Sequence, residues 1–149
     1  MTRVYRISIV HNFETAHRLA HPQAPTKCQS IHGHSWLVTV TIEGPELDGQ
    51  GMLVEFGRFK KLWRAFLDDE VDHHLALKTG DPLIGAITGV MPSARILVLD
   101  FDPTTEQLAA WLWGKAAEAL SAANPGVAAT VSKVLLQETR VNSAEYVPS

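Results

Sequence analysis

The stretch from His32 to Glu43, HGHSWLVTVTIE, decides how this chain folds. His32, His34, Trp36, Val38, Val40 and Ile42 fall on one side, and Ser35, Leu37, Thr39, Thr41 and Glu43 on the other. A period of two marks a half-buried strand, here with an apolar face headed by two histidines. A second alternation precedes it, in which Tyr5, Ile7, Ile9, His11, Phe13, Thr15 and His17 oppose Arg6, Ser8, Asn12 and Glu14. Its apolar face also ends in a histidine, His17. The segment between the two strands, AHPQAPTK (Ala20 to Lys27), carries two prolines and reads as a loop.

Downstream, GPELDGQG (Gly44 to Gly51) is turn chemistry. Phe56, Phe59, Leu62, Trp63, Phe66 and Leu67 then recur at helical spacing, predicting an amphipathic helix that runs to about Glu70. Residues 78 to 93 lack periodicity and read as a long loop before a short strand in ARILVLDF (Ala94 to Phe101). DPTTEQLAAWLW opens a second helix, with Thr104 three residues before Gln107 as a capping box. Its buried stripe is Leu108, Trp111, Leu112, Ala116, Ala119 and Leu120, and Asn124-Pro125-Gly126 ends it. VSKVLLQET (Val131 to Thr139) and SAEYV (Ser143 to Val147) read as two final strands. The order predicts a single α+β domain over residues 1–149, with a four-stranded antiparallel sheet and both helices on one face.

The 149 residues suffice for one core without cross-links. At 46% hydrophobic, 19% charged and a net charge of −3, the chain has no bulk attraction to nucleic acid or anionic lipid. One cysteine makes no intramolecular disulfide, no apolar run is long enough to span a bilayer, and the N-terminus lacks a signal-peptide pattern. The expectation is a cytoplasmic protein with neither nucleic acid nor membrane as partner.

On a strand, residues i and i+2 share a face, so His32 and His34 present two imidazoles to one ion and His17, on the neighbouring strand, is the natural third. Three imidazoles with an open fourth position are a common catalytic zinc set. A lone HxH pair is more often an ordinary pair of exposed or satisfied histidines than a metal site. Cys28, four residues before His32, shifts the balance toward a metal, either as a further ligand or as a nearby thiolate whose acidity a dication raises.

FETAHRL (Phe13 to Leu19), CQSIHGHSW (Cys28 to Trp36), VDHHLAL (Val71 to Leu77), PTTEQLA (Pro103 to Ala109) and QET (Gln137 to Thr139) together resemble the 6-pyruvoyltetrahydropterin synthase superfamily in order and spacing. The three residues between Cys28 and His32 resemble the 6-carboxy-5,6,7,8-tetrahydropterin synthases of the queuosine and deazapurine pathway; the pyruvoyl-forming branch has five. The resemblance implies the tunnelling fold, an oligomeric barrel of trimers or hexamers, and a zinc lyase acting on 7,8-dihydroneopterin triphosphate. It implies His17, His32 and His34 as zinc ligands and Cys28, Asp72 and His73 as catalytic residues, the Asp-His pair being lent by a neighbouring subunit. Glu138 takes the position of the glutamate that anchors the pterin, and Thr104, Thr105 and Glu106 lie in a turn the family places near that ring.

Glu138 suits this role on chemical grounds as well, because the pterin N3–H and 2-amino group form a donor–donor edge that a carboxylate meets with two parallel hydrogen bonds. It also shares a strand face with Val134 and Leu136, where an unsatisfied carboxylate is costly. Asp72 and His73 have a plainer reading as residues that solvate a helix end, and Glu106 as one that favours a helix dipole. Arg18 and Lys27 are candidates for the triphosphate by proximity alone. The sequence departs from the family pattern at Glu55, where an aspartate is usual, and in a long 78 to 100 region.

Overall fold

A computed structural model describes residues 3–149. The strands are β1 (Tyr5–His17), β2 (His32–Gly44), β3 (His74–Lys78), β4 (Ile96–Leu99), β5 (Thr130–Gln137) and β6 (Ser143–Tyr146), and the helices are α1 (Thr26–Gln29), α2 (Phe56–Glu70), α3 (Pro82–Val90) and α4 (Thr105–Ala123). The strands form one six-stranded sheet in the order β4-β3-β1-β2-β5-β6. β1, β2, β5 and β6 pair antiparallel, whereas β3 runs parallel to both β1 and β4.

The two alternations carry the architecture. β1 and β2 pair over their full lengths, with Phe13 opposite Trp36 and His17 opposite His32. Their inward residues Ile9, Phe13, Trp36, Val38, Val40 and Ile42 are buried. That face meets Phe59, Trp63 and Leu67 of α2 and Leu108, Leu112 and Ala116 of α4 in one cluster. Both long helices thus cover one face of the sheet. Along the opposite face Val10, Leu37 and Val98 stay exposed.

The expectation of four antiparallel strands is corrected to six strands in a mixed sheet. The difference lies in β3, α3 and β4, where a parallel pair requires a crossover and α3 supplies it. Residues 78 to 93 are therefore not a structureless loop. Asp81 caps α3 by accepting from the Leu83 N–H, with Pro82 in the first turn. None of α3's residues is buried, so it leaves no amphipathic pattern to read. Glu55 likewise does what an aspartate would do, accepting at 2.8 Å from both the Gly57 and Arg58 N–H groups at the start of α2.

Candidate metal centre

The register of β1 and β2 sets His17 against His32, and the pleat returns His34 to the same face. The ring centroids lie 4.5 Å apart for His17 and His32, 5.2 Å for His17 and His34, and 5.0 Å for His32 and His34. Two of the rings are oriented from behind. His17 Nδ1 donates to the Pro103 carbonyl and His32 Nδ1 to the Ser30 carbonyl, each at 2.7 Å. A carbonyl only accepts, so these bonds fix the tautomer that leaves Nε2 as a bare lone pair. Beneath the cluster, Trp36 meets His17 and His34 edge to face at 5.3 and 5.4 Å and donates its indole N–H to the Thr15 carbonyl.

Glu138, just past the end of β5, completes the group: one donor atom from each of His17, His32, His34 and Glu138 lies within 4.8 Å of all the others. Glu138 Oε1 is 2.9 Å from His34 Nε2, yet the ring nitrogen is not aligned to donate to it and has no hydrogen-bond partner; neither has the buried His17 Nε2. Buried polar atoms without partners are rare, and two converging imidazole nitrogens left in this way match what a bound cation satisfies. The donor set, three nitrogens and one oxygen, suits zinc. Burial lowers the pKa of His17, against the raising effect of the Pro103 carbonyl, and burial also lowers that of His34, against nearby Glu138. The neutral form so favoured is the one that ligates metal.

A cavity of about 220 Å³ opens beside these imidazoles and gathers His17, His32, Cys28, Thr104, Thr105, Glu106 and Glu138. Cys28 is half-buried, on the four-residue helix α1, and is not one of the four converging donors. The Thr105 hydroxyl donates to Glu138 Oε2. Thr104 caps α4 by accepting from the Gln107 N–H at 3.2 Å, the half of the expected capping box that forms. The start of α4 therefore faces the cavity.

Asp72 and His73 form a built pair, with Asp72 Oδ2 accepting from His73 Nδ1 at 2.8 Å. Asp72 Oδ1 accepts from the Glu14 N–H at 2.7 Å, while the His73 N–H donates to the Glu14 carbonyl. His73 has φ +57°, a left-handed conformation uncommon outside glycine and often kept at functional positions. Burial raises the Asp72 pKa, but the Glu14 N–H and His73 outweigh it and hold the carboxyl below its usual value. The His73 side chain is 73% exposed. The pair does not line the cavity of Cys28; His73 borders a different, open hollow of about 810 Å³, which it shares with His34, Met91 and Arg95.

Sequence reading missed three supports. The Pro103 and Ser30 carbonyls leave no side-chain signal at all, whereas Trp36, two residues beyond His34 on the same face, was visible as core but not as the floor of the centre. Arg18 is corrected as a triphosphate candidate. Its Nε and Nη2 donate to Asp81 at 2.9 and 2.6 Å and its Nη1 to the Gln29 carbonyl at 3.3 Å, so the guanidinium is committed within the protein. Lys27 remains exposed on α1.

A protein of Rickettsia bellii named 6-carboxy-5,6,7,8-tetrahydropterin synthase is 35% identical over 97 residues, covering 65% of this chain and 69% of its own. One of the same name from Aquifex aeolicus is 27% identical and covers 95% and 97% of the two chains. Among solved structures, Caenorhabditis elegans 6-pyruvoyl tetrahydropterin synthase superposes with a TM-score of 0.70 at 25% identity, covering 99% of this chain and 98% of that one. An uncharacterized Wolinella succinogenes protein superposes at 0.81 with 21% identity, covering 98% and 99%. No helix among the described residues is long and apolar enough to cross a membrane. The family model described as 6-pyruvoyl tetrahydropterin synthase matches residues 6–149, and the chain belongs to that family.

Proposed function

We propose that the protein is a zinc-dependent lyase that converts 7,8-dihydroneopterin triphosphate to 6-carboxy-5,6,7,8-tetrahydropterin, releasing acetaldehyde and triphosphate. The observation that carries this reading is a thiol that shares one cavity with two imidazoles of the three-histidine cluster, His17 and His32, and the Glu138 carboxylate, yet lies outside the converging donors. Relatives that carry the carboxy-forming name support the same branch.

His17, His32 and His34 would hold the metal. When bound, zinc supplies Lewis acidity toward an oxygen on the pterin side chain. Glu138 binds the N3–H and 2-amino edge, with Thr105 fixing the rotation of its carboxyl group, and Thr104 and Glu106 border the ring. Cys28 as thiolate removes the proton from the adjacent side-chain carbon, a positioned acid-base step of the kind that contributes about 10² to 10⁴-fold. His73, oriented by Asp72, moves protons as the phosphate and the carbon–carbon bond leave. A homo-oligomer, trimer or hexamer, brings that pair to the Cys28 of a neighbour; the exposure of His73 and its separation from the Cys28 cavity support this.

The test is the product. Incubation with dihydroneopterin triphosphate should yield the mass of the carboxypterin together with acetaldehyde, and a chelator should abolish both. A pyruvoyl product would place the chain in the sibling branch, and no turnover of this substrate would overturn the reading.

A further inference from the structure

Arg18 and Asp81 lie outside the metal set and outside the cavity, yet they form the most enclosed ion pair of the chain's described residues. The Asp81 side chain is 0% exposed and that of Arg18 18%. The carboxylate is fully engaged: Oδ1 accepts from Arg18 Nη2 and the Leu83 N–H, and Oδ2 from Arg18 Nε. That leaves Nη1 of the same rigid fork, which donates to the carbonyl of Gln29, next to Cys28.

The turn that receives this contact has little else to hold it. α1 is four residues long, has no side-chain cap and buries none of its residues. One helical turn does not sustain itself in water. Its ties to the body of the protein come from two consecutive residues that follow His17: the Arg18 guanidinium on Gln29 and the Leu19 N–H, which donates to the Cys28 carbonyl at 2.8 Å. The Gln29 side chain only closes the loop on itself, donating to the Ala24 carbonyl at 2.8 Å.

We infer that the Arg18–Asp81 pair is a positioning device that holds the Cys28 thiol in register with the imidazole cluster. A buried ion pair adds little net stability compared with apolar residues, whereas a bidentate guanidinium–carboxylate contact defines geometry. The bidentate pair makes Arg18 a fixed strut between the cap of α3 and the thiol turn. The 78 to 100 region thereby acquires a role beyond the β3–β4 crossover, since its helix is capped by the residue that fixes Arg18. The inference rests on the reading of Cys28 as the proton acceptor.

Two variants test it. Arg18→Lys keeps the charge opposite Asp81 but loses the planar fork that reaches Gln29 at the same time. The double variant Arg18→Gln with Asp81→Asn removes both buried charges while an amide oxygen still caps α3. The metal-loaded proteins are compared for melting temperature, metal content, iodoacetamide alkylation of Cys28 at one pH, and kcat and KM.

Loss of a charge-assisted hydrogen bond from the turn corresponds to about tenfold in its opening equilibrium. Cys28 alkylation should therefore rise about tenfold in both variants, with metal content unchanged and the double variant melting near the wild type. Misplacement of the base should lower kcat by about ten- to a hundredfold with KM nearly constant. Wild-type alkylation and kcat in a folded double variant would overturn the inference, as would failure of both variants to fold, because the pair would then hold the fold and not the thiol. If alkylation rises while even the wild type does not turn over the pterin, the strut stands and the proposed reaction falls.

Discussion

Replacing Glu138 by glutamine asks whether that carboxylate serves the pterin or the metal. In the structure Oε2 takes the Thr105 hydroxyl and Oε1 faces the imidazole cluster, 2.9 Å from His34 Nε2. Glutamine keeps the volume and one acceptor but sets an NH2 group where the second acceptor stood, so one of two parallel bonds to the N3–H and 2-amino edge becomes a donor facing a donor. A hydrogen bond to a charged group contributes about 1.5–3 kcal/mol, so kcat/KM should fall about 10- to 150-fold. Steady-state kinetics on dihydroneopterin triphosphate read that loss, and metal analysis of the same samples should find the ion retained. An unchanged kcat/KM would refute the anchoring role. Metal lost in proportion to activity would refute it differently, by making Glu138 a fourth ligand.

Cys28→Ala should lose about 10²- to 10⁴-fold in kcat while keeping its full metal content, measured on one preparation; metal loss would make the sulfur a ligand. Leu67→Ala, at a fully buried position of α2, should cost about 2–5 kcal/mol of stability in urea unfolding, with the metal site intact in the folded fraction. Arg18 holds the Asp81 carboxyl below its usual value, and the Glu14 N–H and His73 outweigh burial to do the same for Asp72. A depressed carboxylate contributes stability that is complete above the unfolded value, about 3.9, and is lost as pH falls from there through the folded one. Melting temperature should accordingly drop below about pH 4, and Asp81→Asn should flatten that drop; a variant with the full acid slope would contradict the assignment.

How much of this was legible in the sequence depended on burial. β1 and β2 announced themselves because one face of each is sealed against α2 and α4, so polarity alternates residue by residue, and the histidines that end those faces were visible in the same pattern. Glu138 was legible for a related reason, as a carboxylate continuing the buried face of Val134 and Leu136. β4 was legible as the short apolar run in ARILVLDF but not its place in the sheet, and β3 was not legible at all, since five residues are too few to establish a period. α3 was missed because a helix that buries nothing needs no stripe. The left-handed backbone at His73 was also hidden, because its choice there is dictated by Glu14, which clamps the turn from 58 residues away through Asp72.

The separation of Cys28 from the Asp72–His73 pair sets up the most demanding test of the proposed assembly. If each active site combines the cysteine of one subunit with the Asp-His pair of a neighbour, Cys28→Ala and His73→Ala are each inactive as homo-oligomers, but their mixture is not. Every site then draws its two halves from different chains, and random mixing of equal amounts leaves about a quarter of the sites with both wild-type halves, the closed symmetric ring making all sites equivalent. Denaturing, mixing and refolding the two variants with zinc should therefore recover about a quarter of wild-type turnover, whereas each refolded alone recovers none. If every site were built within one chain, no mixed assembly would contain an intact site. Persistent inactivity in a mixture shown by native mass spectrometry to contain hetero-oligomers would then remove the shared site and require His73 to reach Cys28 within its own subunit, across the distance between two different cavities.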